Sequence, residues 1–219
     1  MITIGIDNTL DMGKETLDYI YAISKKHRIK IDHIAPEQPI LYKNNKLLSI
    51  KSYVQCLDKE NKVDLLLVEF KRNSVEKDLY RHVSFDIIVL FDYFLPNKPD
   101  LNHKGYFENK ILKSFKCKCY LIPDTYHIKG KECITYGWHN DADISLSSAQ
   151  QSPEGITKLQ CCIQTCIPTK KGTFTTPVEF PVWGKTKCTE ELLAGAAICV
   201  LYGFDTSTFV LEINIYNMV

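Results

Sequence analysis

The chain opens with the stretch ITIGIDNTLDMGKETLDYI, residues Ile2 to Ile20, and this stretch decides the fold. Its first five residues are mostly apolar and predict a short strand. A polar loop over residues 7–12 follows, and Gly13-Lys14 then leads into a segment whose apolar residues recur at helical spacing. A strand, a loop and a helix that begins with Gly-Lys are typical of a nucleotide-binding unit.

The loop matches a phosphate-binding motif in part. A phosphate loop has the form G-x-x-x-x-G-K-[ST], in which small residues let backbone N–H groups surround the phosphates and the hydroxyl holds Mg²⁺. Gly13 and Lys14 occupy the second glycine and the lysine positions. Asn8 stands at the first glycine position, and Glu15 replaces the hydroxyl residue, with Thr16 one place later. Asn8, Gly13, Lys14 and Thr16 are therefore the candidate nucleotide-binding residues.

Length and charge exclude several classes of protein. The 219 residues suit one large domain or two small ones, and 45% hydrophobic with 24% charged residues is ordinary for a globular protein. A formal net charge of +1 provides no field that would draw the chain to nucleic acid or to an anionic membrane. We find no long apolar run and no signal-peptide pattern, so we expect a cytoplasmic protein without a membrane partner.

Nine cysteines are present, an odd number that does not suit a framework of paired disulfides. Cys161, Cys162 and Cys166 lie close together, but no Cys-x₂-Cys pair occurs. The sequence therefore predicts reduced thiols that behave as small buried apolar groups, rather than zinc ligands.

The first 137 residues alternate strand and helix signals. Residues 63–70 and 85–91 are apolar on both faces, as in parallel strands that helices cover on both sides of a sheet. Further strands are predicted at 29–34, 119–122 and 133–136, a hairpin at 40–42 with 47–50, and helices at 49–57, 75–82 and 106–115. Ser49 or Ser52 is the predicted cap of the first of these helices. The pattern predicts an α/β fold with a mostly parallel sheet flanked by helices.

Beyond Gly137 the pattern changes to alternation with turn signals. Residues 142–148, 156–164 and 173–182 predict a small antiparallel β layer. Thr189 is predicted to cap a helix that Gly203 ends, with Glu190 and Glu191 as favourable charges in its first turn, and residues 210–216 predict a last strand. We expect a single domain over residues 1–219, with a parallel α/β part (1–137), the antiparallel layer (138–185) and a closing helix and strand (186–219).

This order of elements resembles the central, ATP-binding domain of the Mur ligases and folylpolyglutamate synthases. The segment DLLLVE at residues 64–69 is similar to the family's strand that ends in a metal-binding Glu, and residues 86–92 are similar to its strand that ends in Thr-Asn. Residues 136–144 resemble the start of its antiparallel layer, and residues 181–205 its closing helix. The resemblance covers nearly the whole chain as a pattern of elements.

The resemblance implies a ligase of the type that joins a carboxylate to an amine through an acyl phosphate, as in cell-wall biosynthesis. It implies ATP and Mg²⁺ as cofactors, with Glu69 and Asp92 as metal ligands at the ends of neighbouring strands. Lys14 corresponds to the lysine of the phosphate loop, and Lys110 is a further candidate for the lysine that follows the family's Asp-His segment. The structural alternative is that both acids simply mark strand ends and that Lys14 is solvated.

Several functional positions depart from the family pattern. Phe91-Asp92 stands in place of Thr-Asn, Asn97-Lys98 in place of Asp-His, and Thr186-Lys187 in place of His-Asn. The family's separate substrate-binding and C-terminal domains have no counterpart in these residues. The sequence therefore predicts a diverged ligase-type domain that binds a nucleotide weakly or has lost catalysis. In the second case it would be a binding or scaffold partner of a complete ligase.

Two other readings of the residues remain. Residues 4–10 resemble the first motif of haloacid-dehalogenase phosphatases, but Gly5 occupies the position of the nucleophilic aspartate and leaves only Asp7 as an acid. His139 could act as a base, yet no motif connects it with a nucleophile, so a solvent-exposed turn is the favoured interpretation. The phosphatase is the disfavoured alternative.

Overall fold

The computed structural model describes residues 1–9, 13–36, 38, 40–43, 46–71, 75, 77–91, 113–126, 128, 132–169, 172–173 and 177–203. They form two compact units. The first contains residues 1–12 and 29–120, and the second contains residues 13–28 and 121–219. Among the described residues, no helix combines the length and the apolar character that crossing a membrane requires.

The elements follow one another along the chain as strands and helices of an α/β fold. In order they are β1 (Ile2–Asp7), α1 (Lys14–Lys26), β2 (Ile31–Ile34), β3 (Ile40–Lys43), β4 (Lys46–Ser49), α2 (Ile50–Glu60), β5 (Leu65–Phe70), β6 (Ser84–Val89), β7 (Lys116–Pro123), β8 (Cys133–Gly137), β9 (Ile144–Gln151), β10 (Ile156–Ile163), β11 (Pro168–Thr169), β12 (Gly172–Thr173), β13 (Val178–Lys185) and α3 (Thr189–Tyr202). The strand order is β6-β1-β5-β2 in the first unit and β13-β10-β9-β8 in the second. The predicted fold class, a mostly parallel sheet with helices and a small antiparallel part, is confirmed.

In the first unit, β1 lies between β5 and β6 and runs parallel to both. β2 pairs with the other side of β5, also in parallel. Every residue of β5 is buried, as the continuous apolar run predicted for a strand covered on both faces. The register places Ile6 opposite Glu69, so the carboxyl ends of β1 and β5 coincide. Open α/β sheets bind their ligands at this end of the strands.

The predicted hairpin and the helix after it are also present in the first unit. β3 and β4 pair in antiparallel register, with Ile40 opposite Ser49. Ser49 then caps α2, because its hydroxyl oxygen accepts the Ser52 N–H at 3.3 Å. Asn61 ends the helix in the left-handed conformation. Of the two serines that the sequence offered as caps, the first is the one used.

In the second unit, β9, β10 and β13 form an antiparallel series, and β8 runs parallel to β9. Helix α3 is apolar on nearly all sides and is buried from Glu191 to Tyr202. It packs against α1, whose buried residues include Leu17, Tyr19 and Ile20. The core of this unit therefore lies around α3.

Three details differ from the sequence-based expectations or lie outside the described residues. The cap of α3 is Cys188 and makes no side-chain capping bond, whereas Thr189 is the first helical residue, so the predicted cap was wrong by one position. Residues 77–82, predicted as part of a helix, form turns. The strand at 210–216 and most of the helix at 106–115 fall outside the described part of the chain.

Candidate functional site

The N-terminus of α1 holds three of the four candidate nucleotide-binding residues. Gly13 precedes the helix with φ 95°, a left-handed conformation that glycine adopts without strain. Its N–H donates to Glu191 Oε2 at 2.9 Å, and the Glu15 N–H donates to the same oxygen at 2.9 Å. The Thr16 hydroxyl donates to the Glu191 carbonyl oxygen at 2.7 Å. We call the N–H groups of Gly13 and Glu15 the α1 cradle.

The N-terminus of α3 is bound in the same way by a residue of α1. Glu15 Oε1 accepts the Lys187 N–H at 2.8 Å, and Glu15 Oε2 accepts the Cys188 N–H at 3.3 Å. The Thr186 hydroxyl also contacts Glu15 Oε2. The first turn of each helix thus supplies a glutamate to the other, an arrangement that we call the reciprocal caps. Carboxylates at helix N-termini satisfy free N–H groups and interact favourably with the helix dipole.

The reciprocal caps place two carboxylates near one another in a buried setting. Glu191 is only 6% exposed. Burial, together with the nearby charge of Glu15, raises the pKa of the Glu191 carboxyl, although the N–H groups of Glu15 and Gly13 act in the opposite direction. Ionisation of the Glu191 carboxyl therefore costs free energy, and the hydrogen bonds from the backbone N–H groups offset part of that cost.

This pKa shift predicts a pH dependence of stability. A carboxyl whose folded-state pKa is raised contributes its full stabilisation below the unfolded value and loses it as the pH rises through the folded value. As the pH falls from 7 towards the ordinary glutamate value of 4.5, we expect the wild type to gain stability relative to Glu191→Gln, which has no such proton to bind. Denaturant unfolding of both proteins across this range measures the difference. A difference that stays constant, or moves the other way, would contradict the assignment.

The α1 cradle is therefore occupied by the protein's own carboxylate. Helix N-termini bind phosphate because their N–H groups are free and the dipole favours an anion. Here Glu191 supplies the anion and accepts both N–H groups, so these residues do not fit a nucleotide triphosphate. The Lys14 side chain is exposed to solvent. Asn8, the remaining candidate, belongs to the first unit and contacts Glu69.

Glu69, the candidate metal ligand, is engaged through both carboxylate oxygens. Glu69 Oε1 lies 2.6 Å from His33 Nε2, and the Asn8 side-chain amide donates to Glu69 Oε2. Glu69 is 6% exposed. The His33 imidazole and the Asn8 amide thus contact the two carboxylate oxygens that a metal ion would need as ligands. The described residues here therefore do not fit Mg²⁺. Asp92, the predicted second ligand, lies outside the described residues, among which no group of three or more His, Cys, Asp or Glu converges.

The candidate base His139 and the phosphatase candidate Asp7 both have protein partners. His139 lies in a turn with its side chain 65% exposed, and its Nδ1 is 2.9 Å from Asp124 Oδ2. Asp7, the acid of the phosphatase alternative, is buried, and it accepts the Thr9 N–H at 3.0 Å.

Sequence reasoning missed the residues that fill these sites. Glu191 was predicted only as a favourable charge in its own helix, and Glu15 only as a defect of the motif. The negative charge of Glu15 was the usable signal. A carboxylate at the hydroxyl position of the motif would repel a phosphate, so it is expected to accept hydrogen bonds from elsewhere in the protein. His33 had no signal, since nothing in the sequence pairs it with Glu69.

Comparison with known proteins supports the fold. No protein-family model matches the chain. The search of curated proteins finds no match either. Among solved structures, the chain is similar to UDP-N-acetylmuramoyl-L-alanyl-D-glutamate--2,6-diaminopimelate ligase, with a TM-score of 0.59 and 14% identity over 94% of this chain and 44% of that chain. The fold therefore resembles that of a Mur ligase domain, and the chain spans less than half of that ligase.

Proposed function

We propose that this chain is a Mur ligase-like domain that has lost nucleotide-dependent catalysis and acts as a binding or scaffold partner, for example beside a complete ligase of cell-wall biosynthesis. The observation that carries the proposal is the Glu191 carboxylate, which accepts both N–H groups of the α1 cradle. The proposed role is cytoplasmic, in keeping with the reduced thiols that the sequence predicts.

Loss of catalysis follows from what phosphoryl chemistry requires. Formation of an acyl phosphate needs preorganised donors around the phosphates and a metal ion that neutralises the developing charge. A triphosphate at the α1 cradle would have to displace Glu191 and would still face the carboxylate of Glu15. Displacement would also remove the acceptor that holds the two helix N-termini together, so nucleotide binding opposes the stability of the fold.

The state of Glu69 supports the same proposal independently. A metal-binding carboxylate needs at least one oxygen free for the ion. Both oxygens of Glu69 have protein partners, and one of these partners is the imidazole of His33. The two positions that best preserve the ligase pattern, the loop and the strand-end Glu, are thus both bound internally.

Thermal unfolding with and without nucleotide tests the proposal. A ligand that binds only the native state stabilises it by about 2.7 kcal/mol at a hundredfold excess over its dissociation constant. We expect no change in the melting temperature at millimolar ATP with Mg²⁺, whereas a complete Mur ligase measured in parallel should be stabilised.

A saturable rise in the melting temperature of this chain would contradict the proposal. Lys14→Ala is the matched variant, because Lys14 is exposed and its substitution leaves the reciprocal caps in place. If a rise occurs and Lys14→Ala abolishes it, nucleotide binds at the loop and the proposed loss of binding is wrong.

A further inference from the structure

The hairpin of β3 and β4 presents an exposed apolar face. Ile40 is 58% exposed and Leu47 is 72% exposed. The register pairs Ile40 with Ser49 and Tyr42 with Leu47, so Ile40 and Leu47 belong to the same face of the hairpin. Leu41, on the opposite face, is 8% exposed. The hairpin is thus covered on one side and open on the other.

A cavity adjoins this face at Ser49. Its volume is about 190 Å³, and its lining residues are Ser49, Ile50, Lys51, Leu79, His82 and Val83. Ser49 is both the last residue of β4 and part of the cavity wall, so the open face continues into the cavity. We call the open face and this cavity together the hairpin surface.

Positive charge borders the hairpin surface. Lys46, Lys51, Arg81 and His82 are exposed, and no carboxylate of the described residues forms an ion pair with them. Lys43, in contrast, pairs with Glu60 at 3.2 Å. Asp78 is an exposed acid in the same region, but the balance is basic. A ligand of this surface must therefore combine apolar side chains with negative charge.

We propose that the hairpin surface binds an extended, acidic segment of a partner protein, an inference that rests on the proposed role as a binding partner. β3 and β4 form a two-stranded sheet without a third strand among the described residues, so an added strand would have an edge on which to pair. Apolar side chains of the segment cover Ile40 and Leu47, and one of them enters the cavity. Acidic side chains meet Lys46, Lys51 and Arg81.

The apolar face distinguishes this occupant from a small anion. A phosphate group would satisfy Lys51 and His82 but would leave Ile40 and Leu47 in water. A protein segment satisfies both the charge and the exposed apolar area.

Binding of synthetic peptides to the full chain tests the inference. The probe is a fluorescein-labelled peptide in which valine alternates with glutamate, and the control peptide has lysine in place of glutamate. We expect the acidic peptide to bind at least about tenfold more tightly than the basic one, with an affinity that falls as salt is added. Leu47→Ser and Lys51→Glu should each weaken binding of the acidic peptide by about tenfold.

Lys62→Glu is the matched charge control, because Lys62 is exposed beyond the other end of α2. It should leave the affinity unchanged within about twofold. The inference is overturned if the acidic peptide does not bind, if both peptides bind equally, or if Leu47→Ser has no effect. Displacement of the peptide by inorganic phosphate, with no effect of Leu47→Ser, would indicate a simple anion site instead. None of these results depends on ATP, so the proposed function is tested separately.

Discussion

Replacing Glu191 with alanine is expected to lower the free energy of unfolding by roughly 2–4 kcal/mol, because a buried N–H group without an acceptor costs about 1–3 kcal/mol and this substitution leaves two of them. The two groups are the N–H groups of Gly13 and Glu15, which both donate to Glu191 Oε2. Urea unfolding at neutral pH measures the change.

Two variants at the same turn make the result specific. Glu191→Gln retains a side-chain oxygen that accepts the same N–H groups, so it should lose much less stability than the alanine variant. Glu190→Ala removes an equal side chain from the preceding position. Glu190 accepts the Trp138 indole N–H at 3.2 Å, the Thr189 hydroxyl at 3.0 Å and the Cys188 thiol at 3.3 Å, and none of these donors belongs to α1. If Glu191→Ala is no more destabilised than Glu190→Ala, the cap at α1 does not contribute as we describe.

Gly195→Val is expected to destabilise the second unit by about 3 kcal/mol, at the upper end of what overpacking costs in a core. A Cβ at Gly195 would lie 3.0 Å from Tyr19 Cδ1 and 3.3 Å from the Thr16 carbonyl oxygen. Helices α1 and α3 therefore meet at this glycine with no room for a branched side chain. Moving the helices apart would also stretch the reciprocal caps, which lie within about two helical turns of Gly195.

Gly195→Ala is the graded control for this prediction. Alanine gains up to about 1 kcal/mol of helix propensity over glycine, which offsets part of the steric cost. The alanine variant should therefore fall between the wild type and Gly195→Val in denaturant unfolding. Wild-type stability of Gly195→Val would mean that the two helices do not approach as closely as we describe.

The sequence predicted the parts of the fold that depend on local pattern. The buried runs at 63–70 and 85–91 identify parallel strands because a strand covered on both faces has no polar alternation. The serine at 49 and the glycine at 203 mark helix ends because capping and left-handed conformations depend on residue type. The resemblance to Mur ligases followed from the order of these elements, and the fold match supports it at that level.

The site was less predictable because its decisive contacts are tertiary. Gly13 and Glu191 are 178 positions apart, and no spacing rule connects them. From the sequence, Glu15 and Lys14 were weighed as members of a loop motif. In the structure, Glu15 serves the other helix and Lys14 faces solvent. The motif indicated where an anion would sit, but not that the protein supplies the anion.

The backbone amides of Gly13 and Glu15 report most directly on whether Glu191 holds the α1 cradle against a nucleotide. Their ¹⁵N–¹H signals are followed while ATP with Mg²⁺ is added to the wild-type chain at millimolar concentration. We predict that both signals stay in place, because their donors are already bound to the Glu191 carboxylate. A saturable movement of both signals would show that a nucleotide takes the place of Glu191, and it would contradict the account.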